Sequence, residues 1–224
     1  MTMAAYHTKS IYPDSDGERM ADNTLQAEEM IGLKTNLDDL FADREDVFVA
    51  MDLLWYPVEG HPEIRVAPDV FVAFGRPKGY RGSYRQFEEE GVAPQVVFEV
   101  LSLGNRIGEM LRKRDFYDRY GAEEYYLYDP ERFDLTIWQR PSRQESLILI
   151  GTPNGWVSPR LGVRFEVPGD RAWTLYRPDG TPFRSPLEIR RELDRVRAER
   201  DRLAAERDRL AERLRELGID PSAL

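Results

Sequence analysis

The chain has no cysteine and, in 224 residues, only two histidines, His7 and His61. The first absence removes disulfides, thiolate zinc sites and thiol nucleophiles together. The second leaves too little imidazole for a histidine metal centre or a Ser-His-Asp triad, so any catalysis has to rest on carboxylates. Lysine is scarce too: Lys9, Lys34, Lys78 and Lys113 are the whole set, in a chain whose habitual cation is arginine. No apolar run approaches the roughly 18 residues that a bilayer crossing needs. The N-terminus MTMAAYHTKS lacks the charged-then-apolar pattern of a secretory signal, so a cytoplasmic protein without a membrane anchor is expected. Positive charge is in deficit as well. The net charge is −9, and a polyanionic partner would need a locally basic surface.

What is present suffices for one good core, since 41% of the residues are apolar. The expected division is an N-terminal tail (1–20), a core (21–150), a β-rich extension of it (151–186), a coiled-coil helix (187–217) and a C-terminal tail (218–224). Within the core, Asn23 to Phe41 has helical spacing through Leu25, Met30, Leu33, Leu37 and Leu40, with Asp22 or Asn23 available as N-cap. Val47 to Tyr56, Asp69 to Phe74 and Gln95 to Leu101 are short β-branched or aromatic runs bounded by Pro, Gly or charged turns, and read as strands. A helix over Arg106 to Tyr120 stops at Gly121, and Tyr125 to Tyr128 is a strand closed by Asp129-Pro130. The order is helix, three strands, helix, strand, an α/β (α+β) arrangement. In the extension, YRPDGTPF reads as two short strands around a Pro-Asp-Gly turn. From Leu187 to Leu217 the unit AERDRLA occurs twice in succession, and Ile189, Val196, Leu203, Leu210 and Leu217 recur at sevens beside Leu193, Arg200, Arg207 and Leu214. That is a heptad seam, suited to a parallel homodimer; a lone solvated charged helix is the alternative.

Two acids sit where strands are expected. Asp69 follows Pro68 at a strand start, and Glu99 interrupts the apolar run QVVFEVLS. A buried carboxylate needs a proton, an arginine or lysine partner, or a cation. Two carboxylates converging from neighbouring strands would suit a hard divalent ion held through oxygen, which can activate a water for attack on phosphorus. Lys113 is a candidate cation near that water, although its spacing allows a simple surface pair with Glu109. The loop GRPKGYRGSYRQF interleaves Arg76, Lys78, Arg81 and Arg85 with Tyr80 and Tyr84, a pattern suited to phosphates and bases. Glu88 to Glu90 follow at once, so an ordinary solvated loop is the other reading. Tyr125, Tyr126 and Tyr128 read as sheet-face packing.

PDVFV, VVFEVLS and the run R-x-x-E-x-x-x-K-x-x-x-Y-x-x-x-G-x-x-E-Y-Y-L-Y-D-P together resemble the Uma-two family of restriction endonucleases, in the PD-(D/E)xK nuclease superfamily. The resemblance covers about Glu28 to Pro130. It implies a restriction-endonuclease-like core, with Asp69 and Glu99 as ligands of Mg²⁺, for which Mn²⁺ could substitute. Leu101 stands where the superfamily motif has its lysine, and the resemblance assigns that role to Lys113. It implies cleavage of DNA, and with the heptad seam a homodimer paired through the core and the coiled coil is expected. Departures are Ser102-Leu103-Gly104-Asn105-Arg106 after the glutamate, Glu109 for a helical aspartate, and Gln26 for a histidine of the first helix; the last leaves open a contribution of Glu28 or Glu29 to a second metal. Two other functions fit: a non-catalytic interaction module that keeps the fold and recruits partners through its coil, and an RNA-directed nuclease.

Overall fold

In a computed structural model, residues 11–102, 104 and 107–217 are described. His7, Lys9, the tail 218–224, and Leu103, Asn105 and Arg106 of the loop after Glu99 lie outside them. The chain divides into two compact units, Met1–Phe183 and Arg184–Leu224.

The first unit opens with α1 (Thr24–Leu40), capped by the Asn23 side chain accepting from the Gln26 N–H. Met30, Leu33 and Leu37 recur at helical spacing and are buried. Strands β1 (Val47–Met51), β3 (Val70–Phe74), β5 (Val96–Val100), β6 (Glu124–Asp129), β7 (Asp134–Gln139) and β8 (Ile148–Ile150) form one sheet in the order β1-β3-β5-β6-β7-β8. Only β5 and β6 run parallel, because helix α2 (Ile107–Tyr120) carries the chain across between them. Gly121, at φ 105, takes the left-handed turn that ends this helix. Two-residue strands β2 (Trp55–Tyr56) and β4 (Tyr84–Arg85) pair beside the sheet.

The expected order of helix, three strands, helix, strand is present, as is the mixed α/β class. One expected strand, Val47 to Tyr56, is in fact two. Asp52 interrupts it with φ 49, a left-handed conformation that aspartate tolerates better than the apolar residues around it.

The central strands bury both faces. On one, Val70, Val72, Val96, Phe98, Val100, Tyr126 and Tyr128 pack with α1. On the other, Phe71, Ala73, Val97 and Tyr125 pack with Tyr117 of α2. Strands β9 (Arg164–Glu166) and β10 (Thr174–Tyr176) form a hairpin whose Phe165 and Leu175 join the α1-side core. Beyond β10 the Pro-Asp-Gly turn closes through Arg177 N–H to Thr181 O, 2.8 Å, and Tyr176 bridges to Pro182.

The second unit contains α3 (Pro186–Glu216), a 31-residue helix with no buried residue. Its start carries a reciprocal capping box between Ser185 and Glu188, with proline in the first turn. Among the described residues no helix is long and apolar enough to cross a membrane.

Candidate functional site

Strand register brings the two acids together. In the β3–β5 ladder Val70 pairs with Phe98 and Phe71 with Val97. One step beyond the paired residues, Asp69 stands beside Glu99 on the α2 side of the sheet. The contact is anchored by the Val100 N–H, which donates to Asp69 Oδ2 at 2.6 Å. Residues of adjacent strands in this position hold their Cβ atoms about 5 Å apart, so both carboxyls open into one space.

Glu99 is buried at 3% exposure, and both of its oxygens have partners from α2. Lys113 Nζ donates to Oε2 at 2.7 Å, and the Tyr117 hydroxyl donates to Oε1. Residues 113 and 117 are one helical turn apart, so a single face of α2 delivers both. The surface pair of Lys113 with Glu109 is therefore not the contact formed. Tyr117 is itself fixed by stacking on Trp55, with ring centroids 6.1 Å apart.

The electrostatics show a site short of positive charge. Burial, then the neighbouring Glu99 charge, push the Asp69 carboxyl from the usual range up to about 8, against the opposing pull of Lys113, the Val100 N–H and Gln26. Burial works to lower the Lys113 pKa, but Glu99 and Asp69 outweigh it and hold the ammonium above its ordinary value. The Tyr125 hydroxyl is the buried side-chain polar atom left without a hydrogen-bond partner among the described residues. Burial and the charges of Glu99 and Asp69 drive its pKa far up, so it stays neutral.

Helix α1 contributes from the opposite side. Gln26 Nε2 donates to the Val100 carbonyl at 2.9 Å, its Oε1 accepts from the Asp22 N–H at 2.9 Å, and Ser102 Oγ donates to Asp22 at 2.5 Å. The residue at the expected histidine position thus supports the backbone of Val100. Glu28 is exposed, and Glu29 accepts from the Trp173 indole at 3.0 Å; burial raises the Glu29 pKa.

The sequence reading missed two neighbours. Tyr117 was legible only as an apolar-face residue of α2, although its position four residues after Lys113 was a usable signal. Asp52 continues the β1–β3 ladder by one residue, its N–H donating to Asp69 O at 3.1 Å. Partial burial and Asp16 raise its carboxyl pKa, and Lys113 offsets them. Nothing in the run MDLLWY separates Asp52 from a turn aspartate.

The four loop cations are engaged within the protein. Arg76 pairs with Glu90 at 3.0 Å, Arg81 with Glu89 at 2.5 Å, and Arg85 with Glu88 at 3.2 Å. Lys78 Nζ donates to the carbonyls of Phe41 and Ala42 at 2.9 and 2.6 Å, just past the end of α1. Arg81 also lies 4.0 Å over the Phe48 ring. Tyr80 is 95% exposed, but Tyr84 is fully buried and its hydroxyl donates to Val92 O at 2.8 Å, which removes it as a base-stacking residue.

A hard divalent cation fits the residues present. The pair Asp69 and Glu99 offers oxygen only, would carry one more negative charge than Lys113 balances once both carboxyls are ionised, and lies within electrostatic range of the unpartnered Tyr125 hydroxyl. Each carboxylate oxygen has a second lone pair beyond the one already used. Among the described residues, however, no three His, Cys, Asp or Glu side chains form a ligand group, so those residues offer at most two such carboxylates to one ion.

No curated protein matches the chain. A solved structure described as a putative nuclease of the DUF820 group from Anabaena variabilis aligns over 61% of this chain and 72% of that one, at 12% identity and TM-score 0.45. The model of the Uma2 family, described as "Putative restriction endonuclease", matches residues 22–168, well over half of the chain. The chain belongs to the Uma2 family of restriction-endonuclease-like proteins.

Proposed function

We propose that the chain is a Mg²⁺-dependent endonuclease that hydrolyses DNA phosphodiester bonds, with Asp69 and Glu99 as metal ligands. The observation that supports this most is the pairing of Asp69 with Glu99 at adjoining strand positions, with the Lys113 ammonium bonded to Glu99. When bound, the ion supplies Lewis-acid activation of the attacking water and charge shielding at phosphorus. The chain's own residues then have distinct tasks. The Val100 N–H holds Asp69, and Tyr117 and Lys113 hold Glu99 from two sides. The Lys113 ammonium offers a positive charge to the oxygens that gain charge as the bond breaks. Metal binding would take the proton from Asp69 that burial and Glu99 make it keep near neutral pH. A homodimer would present one such site to each strand of a duplex. Arg76, Lys78, Arg81 and Arg85 would bind phosphates by exchanging their glutamate partners for them.

The test is cleavage of plasmid, oligonucleotide and RNA substrates with Mg²⁺ or Mn²⁺. Cutting of DNA by the wild type and none by Asp69→Ala is expected. Equal cutting by both would assign the activity to a contaminant or another site. One observation favours a second reading, a non-catalytic module that keeps the fold: the Lys113–Glu99 contact already satisfies Glu99 as a structural ion pair. Calorimetric titration with Mn²⁺ separates the two, since only a functioning metal site takes up the ion.

A further inference from the structure

Arg81 of the basic loop and Arg140 of the pocket beside Asp118 are held in ion pairs with Glu89 and Asp118, whereas α3 presents an uncovered apolar stripe. This helix buries nothing, yet Leu193, Val196, Leu203, Leu210 and Leu217 are 51 to 62% exposed along it. Their spacing of three and then seven puts them on a single stripe, and a stripe of this kind in water requires a cover.

We propose that the cover is a second copy of α3, paired parallel and in register as a two-stranded coil. The commitment to orientation comes from charge. Let Leu193, Arg200, Arg207 and Leu214 be the a positions and Ile189, Val196, Leu203, Leu210 and Leu217 the d positions. Glu192, Glu199 and Glu206 then fall at g, while Arg190 and Arg197 fall at e. In a parallel pair, Glu192 reaches the partner's Arg197. The seam residues Arg200 and Arg207 snorkel toward the partner's Glu199 and the partner's Glu206. An antiparallel pair in full overlap instead sets Glu199 against the partner's Glu206 twice. Within one helix Arg200 and Arg207 contact only the adjacent Asp201 and Asp208, in exposed pairs that are easily exchanged. Two large cations at adjacent a layers leave no room for a third or fourth strand around a closed seam, so the pairing stops at two.

This inference does not depend on the nuclease reading, and its test needs no activity. The full-length chain, at tens of micromolar, is run in light scattering beside the double variant Leu203→Glu/Leu210→Glu. The wild type is expected to have twice the 26.1 kDa chain mass and the variant the single mass, with the thermal unfolding of the rest of the protein unchanged. A monomeric wild type, a trimer or tetramer, or a variant that remains dimeric would each overturn the proposal. Because the chain has no cysteine, Leu210→Cys gives a single thiol for orientation. Mild oxidation should link most of the dimer through it. In the antiparallel pair the two thiols would stand about 25 Å apart, so a dimer that fails to cross-link overturns the parallel arrangement.

Discussion

Two glutamates lie buried on adjacent strands of the same sheet, and their surroundings differ. Glu124, at 1% exposure, accepts from Tyr126 and Ser158 hydroxyls at 2.8 and 2.5 Å and from the Arg160 N–H at 2.8 Å. Those donors come from the strand itself and from the segment that carries β9, so this carboxylate ties the sheet to the hairpin region. Glu99 also has two donors, but one is a charged lysine and its strand neighbour is a second acid. Neutral donors around a lone acid make a structural tie. Two adjoining acids beside a lysine, one of which keeps its proton near neutral pH, make a site that a further cation would fit, and it is this contrast, rather than burial, that singles out Glu99 as the candidate.

The contrast can be broken at either acid. The largest effect is expected at Asp69: Asp69→Ala should cut DNA cleavage by about a thousandfold or more while the protein still folds, because the carboxyl it removes is one that burial and Glu99 disfavour, which offsets the lost bond from the Val100 N–H. Glu124→Ala should do the reverse. It strands three buried donors and should lose about 3 kcal/mol in urea unfolding, with Mn²⁺ affinity unchanged in the folded fraction. A weakened Mn²⁺ site in that variant would erase the distinction drawn between the two glutamates.

Smaller changes sharpen it. Tyr117→Phe keeps the ring stacked on Trp55 and removes one donor to Glu99, so calorimetry should find Mn²⁺ binding weaker by about tenfold. The pH dependence of the metal-free protein should carry the mark of Asp69. Its carboxyl keeps its proton to about pH 8 in the folded chain but loses it near pH 3.8 when unfolded. Its contribution to stability is therefore complete below pH 3.8 and is lost as pH rises toward 8, and Asp69→Asn should flatten that decline in thermal unfolding. The smallest effect is expected at the loop. If Arg76 or Arg85 must leave a glutamate to meet a phosphate, alanine at either should change the salt slope of DNA binding by less than about 1, the value for a free phosphate contact.

Strands β1, β3, β5 and β6 were legible because they are short β-branched or aromatic runs between breakers, and α1 and α2 because apolar spacing, an Asn cap and a terminal glycine agree with one another. The two acids were legible for the same reason: a charge inside VVFEV is conspicuous. Less was readable about what surrounds them. Spacing offered Lys113 a partner in Glu109, one turn away, and only packing of α2 on the sheet turned it to Glu99. Tyr84 alternates with arginines as an exposed aromatic would, yet it packs against Phe48 and Phe71 with its hydroxyl bonded to Val92. The loop's positive charge vanished into Glu88 to Glu90 for a related reason, since the chain folds its own acids back onto its arginines.

The sequence by itself determined α1, α2, the strands that carry the acids and β6, and the long helix, whose seven-residue repeat needs no contact with the rest of the chain to be recognised; it left β4, β7, β8 and β9 unmarked. It also determined that any chemistry here would be carboxylate chemistry, because cysteine is absent and histidine nearly so. Only the tertiary structure decided which carboxylates meet. Asp69 and Glu99 are 30 residues apart, and what joins them is the register of β3 on β5, a cooperative property of two ladders and the cores on both of their faces. Slipping that register by one residue would turn either acid to the other face, which is why no local pattern could have fixed the site.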